Sequence, residues 1–380
     1  MNRLYIFYPH VYTKATPNEL LIYDTLSFKR EYVRGVVISS NTITGINKFG
    51  YIDDSEENKC IIDKICNNSF GYFIFPQNVM PYMPERKLRI TTSLRKEAKA
   101  LGHNLSSYTN MMLKSVSLLL NNTVSTYLTS FAYLQLEYPN FNWTKIDVHA
   151  ILLQLKSFCL EHIVLSGELS PKDLDDISLF AQRNDIRIIW RIHYLACSTQ
   201  YIQGILAKYK SIMIELLVDS NTPPDMLNLA GDRLILKYMV IKRSDLDAIV
   251  KMENRIALCP IFLKFGQVTI QPEMIMTKEE ILQSNQSLNE CYIKGYINSN
   301  CFGHLTINHD GVVFCLNQQL ESIHKKDLAC IVNDWVTSEN CLWYFARYKK
   351  DICKDCALQV LCPSITIYEE LNIYKCPCKV

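Results

Sequence analysis

His162-Ile163-Val164-Leu165, then Ser166-Gly167-Glu168-Leu169, then Ser170-Pro171-Lys172-Asp173, is the stretch on which the fold turns. Four residues rich in β-branched and apolar types read as a buried strand. Ser170 supplies a side-chain oxygen for an N-cap, and Pro171 suits the first helical position, where no N–H is needed. Leu174, Ile177, Phe180 and Ala181 then recur at helical spacing and form one apolar stripe. The unit is strand, turn, helix.

The same strand signal returns at 186–191, 212–218, 234–240 and 257–263, about two dozen residues apart. Ser244 to Asp247 opens another helix in the style of Ser170. Strands alternating with helices pair in parallel through crossovers. Five or six such units are too few for a full eight-fold barrel. The fold class is therefore α/β, with a partial, open (βα)n barrel over residues 86–284. Its first strand is expected at 124–136, after a helix within 95–120.

Different zones flank the barrel. Residues 1–85 carry short β-type runs at 19–26 (ELLIYDTL) and 32–39 (YVRGVVIS) and a short helical stretch at 59–66. Pro76, Pro81 and Pro84 punctuate the end of this small β-rich N-terminal module. In residues 285–380, Leu305-Thr306-Ile307 and Val312-Val313-Phe314 flank His309-Asp310-Gly311, a strand, Asp-Gly turn, strand signal for a hairpin. A helix over 331–346 is expected next, carrying Trp335 and Trp343.

Bulk composition excludes several classes. The 380 residues carry a formal net charge of +2, which gives no footprint for nucleic acid or an anionic membrane. With twelve glycines the chain has no glycine-rich phosphate loop. The apolar start, Met1 to Pro9, is too short for a signal peptide, and no run reaches the roughly 18 apolar residues of a membrane span. These features point to the cytoplasm, where thiols stay reduced.

That expectation bears on the cysteines. Ten of fifteen fall in the last ninety residues. Cys353-x2-Cys356-x5-Cys362 is followed by Cys376 and Cys378. The two-residue gap lets one turn of backbone aim two sulfurs at one centre, and the five-residue gap turns back to offer a third. Cys376 or Cys378 would complete four thiolates, a set that suits a tetrahedral zinc or a [4Fe-4S] cluster. Cys301 and Cys315 bracket the hairpin, with Cys291 upstream, and are candidates for a second centre or small buried hydrophobes. His304 and His309 could join a zinc site, although surface or hairpin positions suit them better. Cys330 and Cys341, on the expected helix, read as packing residues, and Cys60 and Cys66 as structural.

Taken together, these motifs resemble radical S-adenosylmethionine (SAM) enzymes with a SPASM auxiliary-cluster domain. The nearest resemblance is to the pseudo-radical-SAM/SPASM proteins of Bacteroidetes-type ribosomal peptide maturation systems. It is carried by Leu20 through Leu26, by Phe302-Gly303-His304-Leu305-Thr306-Ile307 with Asp310-Gly311, by Cys353-Lys354-Asp355-Cys356, and by Cys362-Pro363-Ser364 with Tyr368-Glu369. The resemblance implies a radical-SAM-like barrel and a C-terminal SPASM-like domain. Active members carry Cys-x3-Cys-x2-Cys after the first barrel strand, and its thiolates hold the cluster that binds S-adenosylmethionine. Here no cysteine occurs from Asn67 to Phe158. No S-adenosylmethionine is therefore expected, and Ser166-Gly167-Glu168-Leu169 reads as an ordinary turn where the family has its cofactor turn. The family's further cysteine would fall at Thr366. One auxiliary cluster can be fully ligated by Cys353, Cys356, Cys362 and Cys376 or Cys378; a second needs Cys291 and Cys378 as substitutes.

The function expected is that of a catalytically degenerate accessory protein in peptide maturation. Its partners would be a ribosomal precursor peptide, a peptide-modifying enzyme, or both, with no nucleic acid and no membrane. Runs 20–26 and 32–39 are the natural edge for an added leader strand, the alternative being that they only cap the barrel. The alternatives are a redox enzyme or electron relay built on the cluster, and a zinc-stabilised interaction protein. Catalytic residues are not assigned: neither a Gly-x-Ser-x-Gly elbow nor a His-Glu-x-x-His helix occurs. Cys197 with His193 reads as packing. Glu137, Asp147, Glu161 and Glu168 could meet at a barrel mouth, with solvated charge as the default.

Overall fold

The computed structural model describes residues 3–75, 106–120, 147–167, 169–219, 221–229, 231–240, 256–260, 276–316, 318–366, 369 and 376. The chain forms two compact units, each assembled from separated segments. One unites residues 1–97, 273–300 and 343–380; the other unites 98–272 and 301–342.

In the first unit, β1 (Leu4–Phe7) lies between β5 (Tyr51–Asp53) and β6 (Gly71–Ile74), antiparallel to both. A second sheet is the meander β2 (Val11–Ala15), β3 (Glu19–Asp24) and β4 (Arg30–Arg34). Both faces of this meander are covered. Val11, Ala15, Leu20, Ile22 and Val33 pack with Tyr5, Phe7 and the Lys59–Cys66 helix residues Ile61, Ile62 and Ile65. The alternate residues Tyr12, Leu21 and Tyr23 pack with Ile281, Cys291 and the run from Cys356 to Cys362. Two-sided burial explains why Leu20-Leu21-Ile22-Tyr23 is continuously apolar instead of alternating.

The expected run 32–39 ends as a strand at Arg34. Gly35 follows at a φ of +77° and donates its N–H to the Asn18 carbonyl, turning the chain. The expected helix at 59–66 is present, but Cys60 and Cys66 are exposed and contribute nothing to its buried face.

The second unit is built on one sheet in the order β12-β11-β10-β9-β8-β7-β13-β14-β15. Its strands are β7 (Ser115–Leu119), β8 (His162–Ser166), β9 (Arg187–His193), β10 (Ile212–Val218), β11 (Leu234–Val240), β12 (Ile256–Pro260), β13 (His304–Ile307), β14 (Val312–Cys315) and β15 (Gln318–Ser322). Strands β12 through β13 along that order are parallel neighbours; β14 and β15 are antiparallel additions. The α/β class and the mostly parallel sheet agree with the sequence reading. The Pro171–Asn184 helix starts at Ser170, whose side chain accepts from the Asp173 N–H while Asp173 accepts from the Ser170 N–H, a reciprocal capping box.

Two helix expectations are corrected, and two further expectations fall on residues that are not described. Residues 115–119, expected within the helical stretch 95–120, form β7; among the described residues the helix before them spans Ser106–Met112. Pairing with β8 on one side and β13 on the other overrides local helix preference. The first strand expected at 124–136, and the helix opening at Ser244, lie outside the described residues. The helix expected over 331–346 is Leu328–Thr337: the Thr337 hydroxyl donates to the Asn333 and Asp334 carbonyls, and Ser338 leaves in extended conformation. Cys341 is buried beyond its end, whereas Cys330 is exposed instead of packed.

Candidate functional site

Register gives the parallel sheet two chemically different faces. Val116, Leu118, Ile163, Leu165, Ile188, Trp190, Ile192, Ile214 and Leu216 align on one face and are buried. The other face carries Ser115, Ser117, His162, Ser166, Arg191, Glu215 and His304, from β7, β8, β9, β10 and β13. Placing so much polar chemistry on the inside of a sheet is costly unless each group is paired.

Most of it is paired. Arg191 donates from Nε and Nη2 to Glu215 Oε2 at 2.9 and 2.8 Å, and Lys237 Nζ lies 2.7 Å from Glu215 Oε1. Burial alone would raise the Glu215 pKa, but Arg191 and Lys237 together hold the carboxyl below its usual value. The His304 ring lies between two hydroxyls, with Nδ1 at 2.8 Å from Ser115 Oγ and Nε2 at 3.2 Å from Ser117 Oγ. Burial first, then the charges of His162 and Arg191, push its pKa down to about 4, so the ring is neutral at physiological pH. Ser166 Oγ is buried with no hydrogen-bond partner among the described residues. Sequence reading missed this group. Its members occur singly on strands far apart in sequence, and only register brings them together.

The acidic residues proposed for a barrel mouth do other work. Asp147 caps the Val148–Leu155 helix, and Glu161 is an exposed partner of Lys114. Glu137 and Glu168 lie outside the described residues. The turn after β8 places Gly167 at a φ of +126°, with its carbonyl accepting from Trp190 Nε1 at 2.9 Å. His193 and Cys197 form no thiol–imidazole couple. The thiol is directed at the His193 carbonyl, His193 Nδ1 accepts from the Leu195 N–H, and burial pushes the Cys197 pKa up to about 11.

The cysteine-rich segment lies in the first unit. Cys353, Cys356, Cys362 and Cys376 are all buried, and Cys378 is outside the described residues. Cys356 and Cys362 share an apolar cluster with Cys291. The thiols of Cys353 and Cys376 are within hydrogen-bond reach, and that bond, followed by burial, raises the Cys353 pKa. Around them the backbone is tightly turned: Cys356 N–H donates to the Cys353 carbonyl and Cys362 N–H to the Leu358 carbonyl. Gln359 clamps the turn by donating to the Cys353 and Lys354 carbonyls at 3.1 and 3.2 Å.

Against this segment sits a buried cation, Arg347. It donates to Glu369 and, from Nη1 at 3.7 Å, to the Cys353 sulfur, and its charge acts on Cys362 as well. Among the described residues, no three His, Cys, Asp or Glu side chains converge closely enough to hold a metal ion. The donor chemistry would nevertheless suit a thiolate-held centre: four thiols are buried in this unit, and Arg347 beside Cys353 and near Cys362 would offset part of the negative charge of a cluster and its thiolates.

The remaining candidates lie in the second unit. Cys301 is buried and its thiol faces the Leu342 carbonyl at 3.5 Å; Cys315 is buried at the end of β14. His309, expected at the surface or in the hairpin, lies in the hairpin turn beside Asp310 and is buried, because the hairpin is part of the large sheet. No helix among the described residues is long and apolar enough to cross a membrane.

No family model matches the chain, and no curated protein does. Among solved structures it is similar to SuiB of Streptococcus suis. SuiB bound to its precursor peptide SuiA is 13% identical, covering 98% of each chain, with a TM-score of 0.43. SuiB alone is 12% identical, covering 98% of this chain and 97% of that one, with a TM-score of 0.45. SuiB bound to S-adenosylmethionine is 11% identical over the same shares, with a TM-score of 0.39. Likeness this loose assigns no function.

Proposed function

We propose that this chain is a catalytically degenerate, cytoplasmic radical-SAM/SPASM-like accessory protein that binds a precursor peptide or a peptide-modifying enzyme during peptide maturation. The observation that carries the reading is a combination. Among the described residues β7 is the first strand of the parallel sheet in chain order, the sequence after it has no cysteine until Cys159, and the thiols are concentrated instead in a buried C-terminal segment. With no Cys-x3-Cys-x2-Cys behind the first strand, the sheet has no thiolates to hold a radical-generating cluster there. In this reading Cys353, Cys356, Cys362 and Cys376 or Cys378 hold one [4Fe-4S] cluster. The cluster staples a segment rich in turns and poor in regular structure, as a cross-link would. Cys301 and Cys315 are candidates for a second centre. Zinc in the same four thiolates is the alternative occupant.

Peptide capture by strand addition is part of the proposal, and the strand order refines where it would occur. β3 is the middle strand of its sheet and has no open side. On β2, the Ala15 N–H and carbonyl are taken by the Asn47 side chain at 2.7 and 2.8 Å. β4 is the other edge, and its outward backbone groups are the ones that would pair with a leader strand.

The test is anaerobic purification followed by iron, sulfide and zinc analysis, and incubation of the reduced protein with S-adenosylmethionine. The expected result is about four irons with matching sulfide per chain and no cleavage of S-adenosylmethionine. Colourless protein with one zinc would replace the cluster by the zinc reading; cleavage by the isolated chain would overturn the degenerate one.

A further inference from the structure

The meander of the first unit leaves a cavity of about 310 Å³ on the face that carries Tyr12 and Lys14. Neighbouring strand residues point to opposite faces. Val11 and Ala15 enter the apolar core, so Tyr12 and Lys14 face the other way. Around the space stand Tyr12, Tyr292, Tyr296 and Tyr348, with Gln359 and Lys14, and among the described residues no Asp or Glu lines it. The rings are mutually buttressed. Tyr12 and Tyr292 meet edge to face with centroids 5.8 Å apart, and Tyr296 and Tyr348 at 6.5 Å.

We propose that this cavity is a binding site for a carboxylate carried on an aromatic or apolar body, such as the end or an acidic side chain of a peptide. Four phenol rings offer apolar walls with polar tips, the combination that grips an amphipathic group. The volume lies at the lower end of the range of small-ligand sites, which begins at about 300 Å³. Lys14 is the polar anchor. Among the described residues no hydrogen bond or ion pair reaches its ammonium. Burial lowers its pKa, opposed by the charge of Asp355. A half-desolvated ammonium without a contacting anion is in deficit, and an incoming carboxylate restores what water no longer supplies. Asp355 is then a competitor for Lys14, exposed and more distant than a contact pair.

The proposal needs no metal centre and no strand addition at β4, so it can fail or stand separately from the functional reading. The test is calorimetric titration of the full chain with three probes: acetyl-Gly-Phe with a free terminal carboxylate, its C-terminal amide, and acetyl-Glu-Phe amide. The acid is expected to bind at least tenfold more tightly than the neutral amide. Binding of the third probe as well would mark an acidic side chain as an acceptable source of the carboxylate; its failure would confine the site to chain ends. In Lys14→Gln the acid and the amide should become equal, while Asp355→Asn should tighten the acid. Equal affinity for acid and amide in the natural chain, unchanged discrimination in Lys14→Gln, or no binding of any probe at millimolar concentration would overturn it.

Discussion

Arg347 grips Glu369 with both guanidinium nitrogens, Nη1 to Oε1 at 2.8 Å and Nη2 to Oε2 at 3.0 Å, and both side chains are almost wholly buried. The same Nη1 reaches the Cys353 sulfur, and Nε donates to the Pro363 carbonyl. One cation thus holds a carboxylate, a thiol and the backbone just past Cys362. Removing either partner leaves a buried uncompensated charge. Arg347→Met is expected to destabilise the chain by about 3–5 kcal/mol, and Glu369→Leu likewise. The double variant should lose less than the sum of the two. Urea unfolding of the three variants measures this, and strict additivity would mean that the pair is not coupled.

The cysteines should divide by environment. Cys356→Ser is expected to abolish bound iron and lower the melting temperature. Cys197→Ser should do neither, since among the described residues that thiol meets the carbonyls of His193 and Tyr194. Iron analysis and thermal melting of the two proteins, prepared side by side without oxygen, are the measurement. Equal iron and equal melting would contradict the ligand assignment.

Glu215 links stability to acid. Its folded pKa is depressed, so its contribution is fully present above the unfolded value of about 4.3 and is lost as pH falls through the folded pKa. Glu215→Gln should therefore be less stable than the natural chain at pH 7, and the gap should narrow steadily below about pH 4.3. Unfolding free energies across that range report the gap directly. A gap that stayed constant would mean that Glu215 is not held by Arg191 and Lys237.

His304 acts with the same slope but over a different range. Its folded pKa of about 4 lies below the ordinary 6.5, so the unfolded chain binds the proton more readily. Stability should then fall as pH drops from 6.5 toward 4. The imidazole signals should stay those of a neutral ring at pH 5.5. Nuclear magnetic resonance titration checks this, and a midpoint near 6.5 would show the ring to be solvated.

Two glycines should respond with opposite signs. Gly303, at a φ of +71°, would place an added Cβ 2.7 Å from the Met112 carbonyl oxygen, and its own carbonyl accepts from Lys114 and Ser115. Gly303→Ala should cost at least about 1–2 kcal/mol from backbone strain alone. Gly204 lies inside the Thr199–Lys208 helix with open space around it, so Gly204→Ala should stabilise by up to about 1 kcal/mol. Denaturant midpoints of the two variants give the signs.

The parallel sheet was legible because each of its strands from 162 onward is a dense apolar run, and the Ser170-Pro171 cap marks where helix begins. Strand β7 was not. Its Ser-Val-Ser-Leu-Leu run follows Met111, Met112 and Leu113, all compatible with a helix. Only pairing of Ser115 with His304, almost two hundred residues away, settles it as a strand. The concentration of thiols in one segment was visible because Cys353, Cys356 and Cys362 stand close together in the sequence, and the three are buried in one unit. The polar face of the sheet was not, because Arg191, Glu215 and Lys237 each stand alone among apolar neighbours and meet only through register.

The first unit is stitched from three stretches of chain, and this fixes an order of assembly. Tyr23 bonds through its hydroxyl to the Gln286 backbone, and Glu19 receives the Ala357 N–H. The amino-terminal meander can therefore fold its own hairpins as it leaves the ribosome, but one of its faces stays bare until residues past 340 have been made. That waiting surface, apolar and rich in tyrosine, is exposed from the time the meander forms until residues 356–362 are available to cover it.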